Sequence, residues 1–120
     1  MKDKQEQTLV ARIGDFVEKN DHFDLIEAKI EGNFLLLKVG YGGGCQEHEF
    51  ELIGSTVIAK SMPPIRSVQL VHKANNDMCK AYIYKDLKFD IRNLAERQEK
   101  GRTIYLNNEK FKEKLLYTFE

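Results

Sequence analysis

Four side chains in this 120-residue chain are suited to cross-linking, metal ligation or thiol chemistry: Cys45, His48, His72 and Cys79. They fall as Cys-x2-His and then His-x6-Cys, and four kinds of chemistry fit them. A disulfide between Cys45 and Cys79 would close a loop of about 35 residues, worth about 3–4 kcal/mol in the chain-entropy picture. Two sulfurs and two imidazole nitrogens could instead hold a tetrahedral zinc ion, although His-x6-Cys lies outside the common ligand spacings. A third arrangement pairs a thiol with an imidazole, Cys45 with His48 or Cys79 with His72, for nucleophilic or redox work with Cys45 as the nucleophile. The fourth leaves two buried free cysteines and two hydrogen-bonded core histidines. Burial is expected to keep both imidazoles neutral, with each ring nitrogen bonded.

Other motifs carry less. Gly40-Tyr41-Gly42-Gly43-Gly44-Cys45 is glycine-rich, but no Lys-Ser/Thr follows and no helical pattern opens after it, so it does not read as a phosphate loop. Asn75, Asn76 and Asp77 are consecutive oxygen donors without the twelve-residue calcium pattern, and read as a turn. Glu47, Glu49 and Glu51 read as a solvated strand face. His22, among Asn20, Asp21 and Asp24, reads as a surface loop residue. Tyr82 and Tyr84 share the outer face of one strand, either as a partner surface or as packing.

The elements that must position these residues show a period of two. Gly32-Asn33 predicts a hairpin in which Ile30 faces Leu35, Ala28 faces Leu37, Ile26 faces Val39 and Glu27 faces Lys38. The run after the glycine loop alternates glutamates with His48, Phe50 and Leu52, pointing His48 inward. Asn75-Asn76 predicts a second hairpin, pairing Val68 with Ile83, Leu70 with Ala81 and His72 with Cys79. The odd positions continue through Leu87, Phe89 and Ile91, as one bent strand or two strands kinked at Lys85-Asp86. Arg92–Lys100 is the place for a short helix ended by Gly101. Thr103–Leu106 reads as a strand, and Leu115, Tyr117 and Phe119 as a last one, with a helix capped by Asn108 as the alternative. Pro63-Pro64 marks a break between strands. Thr8–Lys19 and Val57–Lys60 would complete the sheets.

The fold expected is therefore all-β: an antiparallel β-sandwich, or partly open barrel, of seven to eight strands with one short helix, forming a single domain over residues 1–120. Lysine plus arginine equals aspartate plus glutamate, 19 each, which argues against nucleic acid and anionic membranes as partners. No apolar run is long enough for a membrane span. No cofactor motif is present. Met1 followed by Lys-Asp-Lys-Gln has no signal-peptide core and suits a mature N-terminus from which a signal has been trimmed.

Gly-Gly-Gly-Cys-Gln-Glu-His-Glu-Phe-Glu-Leu, then Leu-Val-His-Lys-Ala-Asn-Asn-Asp-Met-Cys and Leu-Lys-Phe-Asp-Ile, resembles the NigD-like and related small exported lipoproteins of Bacteroidota. The likeness runs from about Tyr41 to Leu94 and is carried by Gly43, Gly44, Cys45, His48, Phe50, His72, Asn76, Asp77 and Cys79. It implies an exported β-rich domain, in the periplasm or at the cell surface, and so favours the Cys45–Cys79 disulfide. The chain lacks the family's signal peptide and lipid-attachment cysteine, and a cytoplasmic protein is the alternative. The expectation is a non-enzymatic binding or structural module whose partner is a protein or a component of the cell envelope. The alternatives are a zinc domain using Cys45, His48, His72 and Cys79, and a thiol-dependent enzyme or redox protein.

Overall fold

Alternating apolar residues in short runs force strands here, and two apolar faces must then meet. The computed structural model describes residues 7–120, so the polar start at Met1–Glu6 lies outside the described residues. Nine strands follow: β1 (Thr8–Val10), β2 (Arg12–Ile13), β3 (Asp24–Glu31), β4 (Phe34–Gly43), β5 (Glu49–Ala59), β6 (Ile65–Lys73), β7 (Ala81–Asp90), β8 (Thr103–Asn107) and β9 (Leu115–Thr118). They form two sheets, in the orders β1-β7-β4-β3 and β2-β5-β6-β8-β9. The sandwich is mixed rather than antiparallel, because β1–β7, β2–β5 and β6–β8 are parallel pairs. The core between the sheets is built from Leu35, Leu37, Val39 and Tyr41 of β4, Leu87 and Phe89 of β7, Phe50 and Leu52 of β5, and Val68 and Leu70 of β6.

The first hairpin keeps the expected register at Ile30–Leu35, Ala28–Leu37 and Glu27–Lys38, with Gly32 at φ 59° in the turn. It departs at the far end. A register shift between Leu25 and Glu27 puts Leu25, not Ile26, opposite Val39, and Ile26 is left 41% exposed. One extra residue in a strand reverses the facing of everything beyond it.

The second expected hairpin does not form. Asn75 and Asn76 do adopt the left-handed turn, at φ 55° and 60°. The strands on either side of it enter opposite sheets. β6 pairs with β5, setting His72 beside Phe50 and Leu70 beside Leu52, while β7 pairs with β4, setting Ile83 beside Tyr41. The pairs Val68–Ile83, Leu70–Ala81 and His72–Cys79 are thus all overturned. Turn residues and alternation are local signals, and an arch between sheets carries the same ones as a hairpin within a sheet.

The remaining differences are smaller. β7 is one strand through Lys85-Asp86, and the expected helix shrinks to a single 3-10 turn at Arg92–Leu94. Val57–Ala59 belongs to β5, which takes an irregularity between Gly54 and Ile58. Only Thr8–Val10 and Arg12–Ile13 of the early segment are strand. Residues 14–23 form a strap instead. Pro63-Pro64 does separate two strands, and Leu115–Thr118 is strand rather than helix.

The strap crosses the outer face of the second sheet, where the Val17 backbone exchanges two hydrogen bonds with the Gln69 side chain. Val71, on the same face as Gln69, is accordingly 2% exposed, while Leu70 on the core face is 7% exposed. Leu70→Asn and Val71→Asn should therefore both destabilise, by about 2–4 kcal/mol each in urea melts, since each removes an apolar contact and buries an amide. Val57→Asn, at an exposed position of β5, should shift the midpoint by less than about 0.5 kcal/mol.

Candidate functional site

His48 precedes β5 and His72 lies on β6, and alternation points both toward the core beside Phe50. Their rings meet: His48 Nδ1 is 2.7 Å from His72 Nε2. At the far side of His72, Nδ1 donates to the carbonyl oxygen of His22 at 2.9 Å, with that of Asp21 at 3.3 Å. At the far side of His48, Nε2 is 2.8 Å from Asp77 Oδ2. Aromatic rings wall the pair. Tyr41 stacks on His48 with centroids 4.4 Å apart, and Phe50 stacks on His72 at 4.6 Å. The His48 and Asp77 side chains are 2% and 0% exposed.

Asp77 is the hub of the cluster. Its Oδ2 accepts the backbone N–H of Gly44, Cys45 and Gln46 at 3.0, 3.2 and 3.1 Å, and its Oδ1 accepts that of Cys79 at 3.0 Å. The hydrogen bond from His48 is the main reason its carboxyl is held far below the ordinary carboxylate range, with these backbone donors adding to the effect. Two glycines make the approach feasible. A Cβ on Gly43 would lie 2.8 Å from both Asp77 Oδ2 and His48 Nε2, and Gly44 sits at φ 120°, which L side chains rarely adopt. The glycine loop thus serves a carboxylate from within the chain.

The number of protons in the cluster follows from its partners. Carbonyl oxygens only accept, so His72 Nδ1 carries a proton. One proton lies between the two rings. An ionised Asp77 requires one on His48 Nε2. The four ring nitrogens therefore hold three protons, and the pair carries one positive charge balanced by Asp77. The expectation of two neutral imidazoles is corrected: burial disfavours a lone charge, but this one is paired with a carboxylate.

Cys45 and Cys79, separated by 34 positions, form a disulfide with Cα atoms 5.8 Å apart. It ties the glycine loop to the arch, beside the Asn75 side chain, whose amide donates to the carbonyl of Glu47. The four residues singled out from the sequence are neighbours, but they do not turn their ligand atoms to a common point. The sulfurs bond each other, and all four ring nitrogens are engaged by His72, His48, Asp77 and the strap carbonyls. Asp77 stands beside the cysteines: one of its oxygens and both sulfurs lie within 4.8 Å of one another. Neither thiol–imidazole pair forms.

The strap closes the site from the other side. β8 accompanies β6 only along Ile65–Ser67. Beyond it, the open edge of β6 is satisfied by side chains and one amide. Asn108 donates to Val68 O, Asn20 donates to Leu70 O and accepts from His72 N, Asp21 N donates to His72 O, and Asp21 Oδ2 accepts from Ala74 N. Sequence reasoning took Asp77 for a turn residue, met Gly43 and Asp77 otherwise only as positions of the family motif, and gave Asn20 and Asp21 no role. An aspartate two residues before a cysteine, bonded to that cysteine's N–H, is the one local signal available. As expected, the His22 side chain is exposed; its backbone oxygen does the work.

On the outer face of the first sheet, Tyr82 and Tyr84 lie edge to face with centroids 5.1 Å apart. Tyr82 donates to Asp24 Oδ2 at 2.6 Å, and this bond pushes the phenol up to about 12. Its ring lies over Gly40, where a Cβ would come within 2.3 Å of the hydroxyl oxygen. Tyr84 is 62% exposed.

A family model described as the NigD-like C-terminal beta sandwich domain matches residues 8–120. Among solved structures, the chain is similar to a NigD-like immunity protein from Bacteroides caccae ATCC 43185, with a TM-score of 0.66 and 17% identity over 86% of this chain and 52% of that one. It is also similar to a protein of unknown function, DUF1344, from Bacteroides vulgatus ATCC 8482, with a TM-score of 0.59 and 13% identity over 95% of this chain and 56% of that one. The chain thus spans little more than half the length of either protein. At these identities the likeness speaks to fold alone. No curated protein matches the chain.

Two predictions follow from the Asp77 hub. A carboxylate held below its ordinary range stabilises the fold at all pH values above that range, and the benefit is lost as pH falls toward the depressed value. The melting temperature of wild type should therefore exceed that of Asp77→Asn at neutral pH, and the part of the margin that Asp77's own ionisation supplies should disappear below about pH 4. Separately, Cys45→Ser with Cys79→Ser should lower stability by about 3–4 kcal/mol in urea melts, the value for a loop of this length.

Proposed function

The chain belongs to the family of NigD-like C-terminal β-sandwich domains, and on that premise we propose that it is an exported, non-enzymatic module that works by binding another protein. The observation that carries this reading is the closed state of Cys45, His48, His72 and Cys79. Both sulfurs are joined in a disulfide and every nitrogen of His48 and His72 is engaged. A nucleophile needs a free thiolate, and a metal site needs free lone pairs. The cluster instead ties the glycine loop, the arch and the strap into one piece.

The disulfide supports export, since such bonds persist in oxidising compartments. Among the described residues no helix is long and apolar enough to cross a membrane. One protein of the same fold is described as an immunity protein, which favours a protein as partner. Tyr82 and Tyr84 supply the contact surface: exposed tyrosines bring a large area to an interface at little entropic cost.

Thiol labelling in the cells that make the protein tests this reading. The protein should fractionate with the envelope or outside the cell and take up no label until it is reduced. A photo-crosslinker in place of Tyr84 should yield a discrete protein adduct. Recovery from the cytosol with both cysteines labelled would contradict the proposal. The zinc arrangement of Cys45, His48, His72 and Cys79 would require both the disulfide and the His48–His72 bond to open. A chelator should accordingly leave the melting temperature of the oxidised protein unchanged.

A further inference from the structure

The cluster has a proton economy that its structural role does not require. Three protons satisfy its hydrogen bonds, and a fourth does not fit. A fourth proton would put N–H groups on both sides of the 2.7 Å contact between His48 Nδ1 and His72 Nε2, where each needs an acceptor. The charge of the pair would rise to two, against one contacting carboxylate.

We infer that the His48–His72 pair is an acid-operated latch: uptake of a second charge breaks the bond between the rings and releases the strap, residues 14–23, from the edge of β6. His48 stays with Asp77, so His72 is the ring left without an acceptor for its Nε2 proton. His72 is also the ring that holds the strap, through the carbonyls of His22 and Asp21. Its backbone takes part as well, with N–H on Asn20 Oδ1 and O on Asp21 N. The strap is lightly packed up to Phe23, which anchors its end in the core. Residues 15–20 are exposed and belong to no strand. Their opening would cost far less than opening either sheet.

The surrounding charges do not remove the conflict. From the arch, Asp77 is committed to His48 and four N–H groups. On the strap, the Asp21 carboxylate is bonded to Ala74 N, and the His22 ring turns outward to Asp24 at 3.3 Å. From β4, Tyr41 stacks on His48 and stays protonated, its phenol raised chiefly by burial with Glu47 and Asp77 adding to the effect. Lys85 of β7 lies over the Phe50 ring at 5.9 Å and Lys110 over Phe23 at 4.8 Å, both adding positive charge. Burial is also the first cause of the depressed His72 value, below the ordinary 6.5. A depressed group of this kind stabilises the fold above its ordinary value, and that stabilisation is lost as pH falls through the depressed value.

Hydrogen exchange of the oxidised protein from about pH 7.5 to about pH 5, corrected for intrinsic rates, tests the latch. The amides of Val17, Asp21, His72 and Ala74 should lose protection about tenfold or more, while those of Leu37 and Phe89 in the first sheet keep theirs. The loss should share its midpoint with the His72 ring titration followed by NMR in the wild type. His72→Gln, which cannot take the proton, should remove the pH step; if that variant fails to fold, the wild-type comparison of midpoints decides alone. His22→Gln, whose side chain is exposed and turned away from the pair, should leave the midpoint in place. A midpoint that follows His22, an even loss of protection in both sheets, or no loss at all would overturn the inference.

Discussion

The contact between the Asp77 carboxylate and the His48 imidazole is the constraint on which this fold's distinctive part depends. An ionised carboxylate with no exposed surface survives only if every lone pair is matched. Here one ring and four backbone N–H groups match it, and each donor fixes a piece of chain. The N–H groups of Gly44, Cys45 and Gln46 curl the glycine loop around the carboxylate, and that of Cys79 sets the start of the descent into β7. The disulfide then spans two segments that the carboxylate already holds together. Gly43 is required because any side chain would fill the space where Asp77 and His48 meet.

The same contact reaches the strap through the histidine pair. Asp77 fixes the proton on His48, His48 fixes the orientation of His72, and His72 holds the carbonyls at the end of the strap. The strap in turn covers the outer face of β6 and closes the edge that β8 leaves open. An exposed strand edge invites pairing with other chains, and here Asn20, Asp21 and Asn108 blunt it by imitating a strand's hydrogen bonds. A short polar relay thus connects a covalent cross-link with a lightly held segment.

Much of this was legible in the sequence where the signal is local. Alternation placed β3, β4, β5 and β7 and pointed His48 and His72 inward, and the quoted motif blocks pointed to the disulfide and the family. What failed was partner choice. Asn75-Asn76 makes the turn it predicts, yet the chain uses that turn to change sheets. Nothing in the residues flanking it separates the two outcomes, because β6 and β7 would bury the same side chains in either. Ile26 failed for a related reason, since a bulge is set by the strand's path and leaves no mark in alternation. Asp77 was visible as a residue but not as a hub, because its five partners come from a loop more than thirty residues away, from His48 and from Cys79. Val71 falls on the outer face of β6 by parity yet is buried, because a strap without periodicity crosses that face.

The account rests on a buried imidazolium paired with an ionised Asp77, and NMR of the ring nitrogens tests that most directly. Selective nitrogen-15 labelling of histidine at neutral pH should give three protons on the four nitrogens of His48 and His72, with His48 Nε2 and His72 Nδ1 both protonated and the third proton between the rings. A bare His48 Nε2, with only two protons on the pair and a neutral Asp77, would contradict it.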